Sequence, residues 1–521
     1  MERLGKLLLK RGTRELLKHC LLNRTIRSVA ISYAARQMAQ GFKSLGGYVP
    51  PKSVARDKQD MVIAMLSSID RGLAEGLISK SYWKKFFDSF VCMFVRGYKN
   101  VLAFREKYKM EPPGFVTISP THRCNLKCEG CYSSSSSAMA ESLPYEIFTR
   151  IIREQKDLWG SHFTVISGGE PFTYKDNGKS LIDVLGEHRD SFFQIYTNGT
   201  LITPPLANEL AEVANATPAI SLEGFEKETD ERRGRGTFKK ILRAMGNLRK
   251  AQVPFGISVT ATRKNIDLLL DEKFWDFWFD EQGALYAWLF QYMPIGRAYT
   301  LDLMITPEQR MASYEVTWRQ IREKKRFIAD FWNCGTVSNG CISAGVRGGY
   351  LHIDWNGVVT PCVFNPYSTD NIIEIYRNGG TLTDVLFSPF FVGIRNWQRA
   401  YVYDRPPEEM GNVIATCPIR DHYDFMYELI KATNAQPEDE QAREALMDEC
   451  YRRGLIEYGK RFKELSNQLW VSHYLRRESG RPTAEESNVR GKDSTPTPAS
   501  GSALRSTLEQ VISRIKSSFL G

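Results

Sequence analysis

Three cysteines stand close together in Cys124-Asn-Leu-Lys-Cys128-Glu-Gly-Cys131. Thiolates at that spacing can wrap one centre, and they are the ligands of iron–sulfur clusters and of zinc. Three rather than four is the informative number. A cubane held by three thiolates keeps one iron open to an outside ligand, whereas a zinc site built this way lacks its fourth donor. A second set follows downstream: Cys334, Cys341, Cys362 and Cys417. Four thiolates suffice for one further four-iron cluster; if one stays out, an iron is left available to substrate. Cys20, Cys92 and Cys450 fall inside helical patterns without a partner nearby and read as packing residues. The chain holds 10 cysteines. In a reducing compartment, metal binding explains such a number before structural disulfides do.

Further signatures follow in order: Gly168-Gly169-Glu170-Pro171, Thr197-Asn198-Gly199, Ser221-Leu222-Glu223-Gly224 and Arg233-Gly234. Adjacent glycines let a backbone come close to a ligand, and carbonyls exposed there can accept hydrogen bonds from an ammonium group. Asn198-Gly199 by itself reads equally well as a plain turn.

The C-x3-C-x2-C spacing with aromatic Tyr132 directly after it, followed by Gly-Gly-Glu-Pro, resembles the radical S-adenosylmethionine (SAM) superfamily. The resemblance covers residues 113–300 well and the next hundred loosely. It implies a four-iron, four-sulfur cluster on Cys124, Cys128 and Cys131, whose open iron is chelated by the amino and carboxylate groups of SAM. Reduction by a partner such as flavodoxin or ferredoxin then releases a 5′-deoxyadenosyl radical. It also implies cofactor-binding roles for Gly168, Gly169, Glu170 and Pro171 at the SAM amino group, and for Tyr132, Asn198 and Ser221. Glu223 stands where the related Ser-Leu-Asp-Gly signature has Asp. Cys341, Gly357 and Cys362, as C-x15-G-x4-C, resemble the opening of the SPASM/twitch module. That implies a second four-iron cluster of twitch type on Cys341, Cys362, Cys417 and Cys334, with Cys334 outside the matched spacing. The closely spaced run of further cysteines in a full SPASM module is not present. Catalytic acid and base residues are not assigned: His122 and His162 read as local hydrogen-bonding residues, and Asp354 and Arg297 are left open.

These motifs need strands behind them. Candidate strands are Phe115–Ser119, Phe163–Ser167, Phe192–Tyr196, Pro218–Leu222, Phe255–Thr260 and Leu285–Gln291, with helical patterns such as Tyr145–Trp159 and Phe238–Ala251 between them. Six βα units in series predict a parallel sheet with right-handed crossovers. Each motif lies just after a strand, where such sheets place their ligands. The expected fold class is therefore α/β: a partial (β/α)6 barrel with an N-terminal helical region and a C-terminal auxiliary-cluster domain. Asn356-Gly357 predicts a hairpin that folds Cys362 back toward Cys341. The expected divisions are a basic helical region at 1–112, the barrel at 113–300 and the auxiliary-cluster domain at 301–435. A C-terminal helix at 436–477, a disordered linker at 478–503 and an amphipathic helix at 504–521 complete the chain.

The net charge is +10 in 521 residues, and residues 1–58 carry 13 Lys and Arg against three acids, a surplus of ten. The rest is nearly neutral. Such a surplus suits an anionic membrane surface, or else a solvated helical face; no recognition motif for nucleic acid accompanies it. No apolar run is long enough to cross a membrane and the N-terminus lacks the order of a signal peptide, so the expected location is the cytoplasm, with peripheral membrane contact as an alternative. The leading expectation is a radical SAM enzyme that abstracts hydrogen from a lipid-related or membrane-associated substrate. A peptide- or protein-modifying maturase is the alternative, and a non-catalytic iron–sulfur electron carrier the second.

Overall fold

The computed structural model describes residues 15, 18–31, 50–91 and 97–475. The expected linker at 478–503, the amphipathic helix at 504–521, Cys92 and much of the basic N-terminus lie outside them.

The sheet is built on short, apolar, β-branched or aromatic runs. Its strands are β1 Phe115–Ile118, β2 Phe163–Ile166, β3 Phe192–Thr197, β4 Ala216–Leu222, β5 Gly256–Ala261 and β6 Tyr286–Gln291. They pair in parallel in that order. Helices cover the outer face between them. The helix Tyr145–Trp159, for example, buries Phe148, Ile151, Ile152 and Trp159. It also turns the buried amide of Gln155 onto the sheet, accepting from Val116 N at 3.1 Å and donating to Phe163 O at 2.6 Å. A polar side chain sealed in a core persists only when its hydrogen bonds are met.

The sheet is larger than the six strands expected. β7 Phe327–Asp330 adds in parallel beyond β6, and β8 Tyr350–Ile353 adds in parallel on the free side of β1. β9 Val358–Thr360 and β10 Asp370–Asn371 continue antiparallel from β8. The order is β10-β9-β8-β1-β2-β3-β4-β5-β6-β7, an open, partial barrel of ten strands rather than a closed ring. The Asn356-Gly357 turn joins β8 to β9, with Gly357 at φ +79°, a left-handed conformation that favours glycine. Past the barrel, the single helix expected at 436–477 is broken into two α-helices, Glu440–Met447 and Glu449–Leu469. Asp448 separates them, because its carboxylate caps the second by accepting from Cys450 N and Tyr451 N.

At the opposite end of the strands, the helices Lys52–Ala74 and Lys80–Val91 close the barrel floor. Arg71 donates to Phe279 O at 2.6 Å, and Tyr82 OH donates to Ala216 O. Several basic residues counted in the N-terminal surplus are engaged in this packing. Lys18 pairs with Asp88 at 2.7 Å, Arg27 pairs with Asp70, and Lys58 donates to Asn339 at 2.7 Å. All three are buried, so these particular charges serve the fold rather than an outer surface. Among the described residues no helix is long and apolar enough to cross a membrane.

Candidate functional site

The loop after β1 carries Cys124, Cys128 and Cys131 across the C-terminal ends of the strands. Burial pushes the Cys124 thiol up to about 12, with Glu170, Cys128 and Cys131 adding to the effect. Burial likewise raises Cys128, beside Cys131, while Arg233 draws it down. The thiols thus share one desolvated neighbourhood, where a bound metal would reverse the shift by stabilising thiolate. None of the three is in a disulfide. Among the described residues no three metal-binding side chains converge on a single ion; in a cubane each thiolate takes its own iron. Three reduced thiols on one loop, near enough to influence one another, fit a four-iron cluster with one iron left for an outside ligand.

Arginines hold this loop. Arg297 donates to Cys128 O at 2.6 Å and to Ser135 O, and its own N–H donates to Cys131 O at 2.9 Å. Arg232 donates to Glu129 O at 3.1 Å and to the Glu223 carboxylate at 2.6 Å. Arg233 donates to the same Glu223 oxygen at 2.6 Å. Glu223, buried and doubly paired, therefore organises the two arginines beside the cysteines; the longer side chain in place of Asp reaches both. Arg297, left open from sequence, grips the cysteine loop rather than facing outward. His122 lies flat on Trp355, ring centroids 4.0 Å apart, and its Nε2 meets Ser133 O at 3.0 Å. His162 bonds Asp190 O at 3.1 Å, near the far end of β2. Both act locally.

The Gly-Gly-Glu-Pro turn follows β2 and folds against the cysteine loop. Gly169 N donates to Thr121 O, and Glu170 N to Arg123 O, both at 2.9 Å. A Cβ on Gly169 would stand 2.2 Å from Arg123 O. The close approach that requires glycine is thus made to the chain's own backbone. Glu170 is fully buried, accepting from Thr197 Oγ1 at 2.7 Å, Asn198 N at 2.8 Å and Phe172 N at 3.2 Å. Burial nevertheless pushes its carboxyl up to about 7. With Pro171 also buried, the Glu170 carboxylate forms a clamp joining the ends of β2 and β3. Asn198 bridges to Asn125 Oδ1 at 2.8 Å and approaches Cys124 Sγ at 3.9 Å, so it belongs to the cysteine loop. Tyr132 crosses the site to Ser167 Oγ and accepts from Gly168 N at 3.3 Å. Ser221 sits half-buried near the end of β4.

The second cysteine set divides. Cys341 N donates to Thr416 Oγ1 at 3.0 Å, next to Cys417, and Ala344 N donates to Pro361 O at 2.9 Å, next to Cys362. Burial raises the Cys417 thiol to about 12, with Asp421 and Cys341 adding to it, and Cys362 is raised by burial, Cys417 and Cys341. These three thiols share one interior space. Cys334 is raised by burial, then by Asp330 and Asp57, in a different setting. It lies where the N-terminal helix Lys52–Ala74 meets the short helix Gly335–Ser338, apart from the three thiols that influence one another. Cys450 is exposed rather than packed.

Polar atoms surround this second trio. Tyr350 OH, Trp332 Nε1 and Arg420 Nη2 are buried donors with no acceptor beyond these thiols, Tyr350 lying against Cys362 and Trp332 against Cys417. The Arg420 charge also acts on Cys417. Such donors around three thiols fit an electron-rich group such as an iron–sulfur cluster. Aromatic rings span the space between the two trios. On β6, Ala287 and Leu289 are buried under the helices, so Trp288 and Phe290 face inward with Tyr196. Phe290 meets Phe364 at 5.7 Å, and Phe364 meets Tyr132 at 6.1 Å. A cleft of about 580 Å³ lined by Arg71, Asp280 and Arg326 lies before β6 and β7, away from all of this; Arg326 there is already paired with Asp276 and Asp280.

Asp354, at the end of β8, accepts from Asn356 N at 2.9 Å and Val358 N at 2.7 Å, and its carboxyl bonds Glu438. Burial pushes Asp354 up to about 6, and raises Glu438 well above the carboxylate range, with Asp354 next in effect. Two adjacent buried carboxyls raised in this way favour holding a proton between them. A raised carboxyl means the folded state binds more protons than the unfolded one, so stability falls as pH rises from the unfolded value through the folded value. Glu438→Gln, a permanent neutral donor, is expected to raise the melting temperature at pH 8 and leave it unchanged at pH 5. Equal shifts at both pH values would show that the pair does not share a proton.

The profile of the radical SAM superfamily matches residues 118–276. An AdoMet-dependent heme synthase of Nitratidesulfovibrio vulgaris (strain Hildenborough) is 30% identical over 285 residues, 48% of this chain and 74% of that protein. The Fe-coproporphyrin III synthase of Methanosarcina barkeri is 29% identical over 206 residues, 38% of this chain and 51% of that protein. The mycofactocin maturase MftC of Mycolicibacterium smegmatis is 32% identical over 216 residues, 40% of this chain and 52% of that protein. The chain thus spans about half the length of the latter two. With the fold and the cysteine loop described above, the chain belongs to the radical SAM superfamily. The relatives in that family are enzymes, and the family implies a four-iron, four-sulfur cluster and SAM.

Proposed function

We propose that this enzyme abstracts hydrogen from a carbon of a substrate with a flat, conjugated face, held between the cysteine loop and an auxiliary cluster on Cys341, Cys362 and Cys417. The observation that carries the reading is the inward aromatic wall of Tyr196, Trp288, Phe290 and Phe364, which lies between the two cysteine trios. Aromatic faces bind flat conjugated partners by offset stacking and apolar burial. SAM, bound at the reduced cluster, supplies the 5′-deoxyadenosyl radical; the protein supplies position and exclusion of water. Arg297, Arg232 and Arg233 fix the cysteine loop, Glu170 locks two strand ends beneath it, and the rings shield the reacting carbon from solvent.

Tetrapyrrole chemistry is the first substrate class, because two of the relatives are named for heme and iron-coproporphyrin. The maturase keeps peptide modification as the second. A lipid-related substrate drew its support from the basic N-terminus, and the burial of Lys18, Arg27 and Lys58 weakens it. A small acidic electron carrier such as flavodoxin or ferredoxin is the proposed reductant.

Anaerobically reconstituted enzyme with dithionite and SAM is expected to form 5′-deoxyadenosine, and iron coproporphyrin III is expected to bind with a shifted Soret band that Trp288→Ala abolishes. Failure to form 5′-deoxyadenosine overturns the radical reading. An unperturbed Soret band removes tetrapyrroles and brings peptides to the front.

A further inference from the structure

Cys417 opens a tight loop in which the N–H groups of Arg420, Asp421 and His422 all point at Cys417 O, at 3.3, 2.7 and 3.2 Å. That loop buries two guanidiniums and one carboxylate. Arg310 grips Asp421 with two nitrogens, at 2.6 and 3.2 Å, and adds Ile414 O at 3.1 Å. Arg420 reaches the same carboxylate only through Nε, at 3.3 Å. Burial alone would raise the Asp421 carboxyl, yet Arg310 and Arg420 hold it well below the carboxylate range. Asp421 is therefore neutralised by Arg310, and the positive charge of Arg420 is left over. Its guanidinium lies over the Trp332 ring at 4.5 Å, and both Arg420 and Arg310 are fully buried. A further buried carboxylate, Asp330, feels the charge of Arg310 and is occupied by Trp332 N, Asn333 N, Asn333 Nδ2 and Gln291 Nε2 at 3.1, 3.0, 2.8 and 3.3 Å.

A buried cation with an unused N–H is costly unless something electron-rich receives it. Two neutral donors, Tyr350 OH and Trp332 Nε1, have no acceptor beyond the thiols themselves, Tyr350 against Cys362 and Trp332 against Cys417. We infer that Arg420, Trp332 and Tyr350 form a donor shell for the auxiliary cluster, with Arg420 as the residue that sets its reduction potential. The inference rests on the auxiliary cluster proposed above. Reduction adds negative charge to the cluster, and both hydrogen bonds to its sulfurs and a nearby cation stabilise the reduced form. The shell therefore raises the potential of the auxiliary cluster selectively, because the first cluster is surrounded by other residues.

The test is an EPR-monitored redox titration of the full chain, reconstituted anaerobically, without substrate. Arg420→Met is expected to move the auxiliary signal to more negative potential and leave the first cluster's signal in place. Tyr350→Phe, which deletes a single hydroxyl and keeps the ring, is expected to move it the same way by less, and covers the case in which Arg420→Met does not fold. A wild-type chain with only one cluster overturns the proposed function and this inference together. Two clusters whose potentials stay at the wild-type values in both variants overturn the inference alone.

Discussion

Replacing Cys124, Cys128 and Cys131 together by alanine is expected to cut bound iron from about eight to about four per chain and to reduce 5′-deoxyadenosine to background. The size of the effect follows from the arrangement: each thiolate holds a separate iron, and the open iron that receives SAM exists only when all three are in place. The remaining irons are those of the proposed auxiliary cluster on Cys341, Cys362 and Cys417, the last on a loop pinned independently by Arg310 and Asp421. The parallel triple substitution of those three cysteines is expected to leave about four irons while SAM cleavage persists, since the first cluster is intact. A first-trio variant that keeps full iron and still cleaves SAM would falsify the assignment.

Gly169→Val is expected to remove the first cluster's iron as well as SAM binding. Seen from sequence, this glycine clears space for the ligand, and its substitution should spare iron while SAM affinity falls. The geometry says otherwise. The nearest atoms to an added Cβ are Arg123 O at 2.2 Å, Arg123 C at 2.7 Å and His122 O at 2.8 Å, all backbone of the cysteine loop. Backbone cannot swing aside as a flexible side chain can, so the loop itself shifts, at a cost of about 1–3 kcal/mol, typical of overpacking. Cys124 is the next residue along. Iron quantitation beside a SAM titration separates the two accounts: retained iron with lost SAM affinity would restore the ligand-facing role.

The strands behind the motifs were legible because most are short runs of β-branched and aromatic residues bounded by polar or turn-forming ones. Predicted Phe163–Ser167 became Phe163–Ile166, and predicted Leu285–Gln291 became Tyr286–Gln291. β8 was not placed in the barrel, because parallel pairing with a strand more than 200 residues earlier leaves no local mark, and β7 was missed as a run of only four residues, Phe327–Asp330. Tyr350–Asp354 showed as one arm of a hairpin, and nothing in its composition announced that its other edge meets Phe115. The cysteines of both trios could be read because thiol spacing is itself the chemistry. The residues that hold them could not: Arg232 and Arg420 look like any surface arginine until their partners are known. Asp354 and Glu438 are 84 positions apart, and their effect on each other is visible only once burial and contact are known. The setting of Cys334 was hidden for a related reason, since nearness in sequence to Cys341 does not bring it among the three thiols that influence one another.

The pairing of β8 with β1 also limits how far the molecule can be treated as modular. β1 is an interior strand only because Tyr350–Ile353 lies alongside Phe115–Ile118 in full register. A chain ending at about residue 300 would look like a self-sufficient cofactor domain in its linear map. It would instead leave the N–H and C=O groups of β1 as a bare sheet edge, directly beneath the cysteine loop, of the kind that recruits other chains into aggregates. The auxiliary segment is thus a structural flank of the catalytic half rather than an appendage. The two halves are constrained to be inherited, expressed and transplanted as one piece.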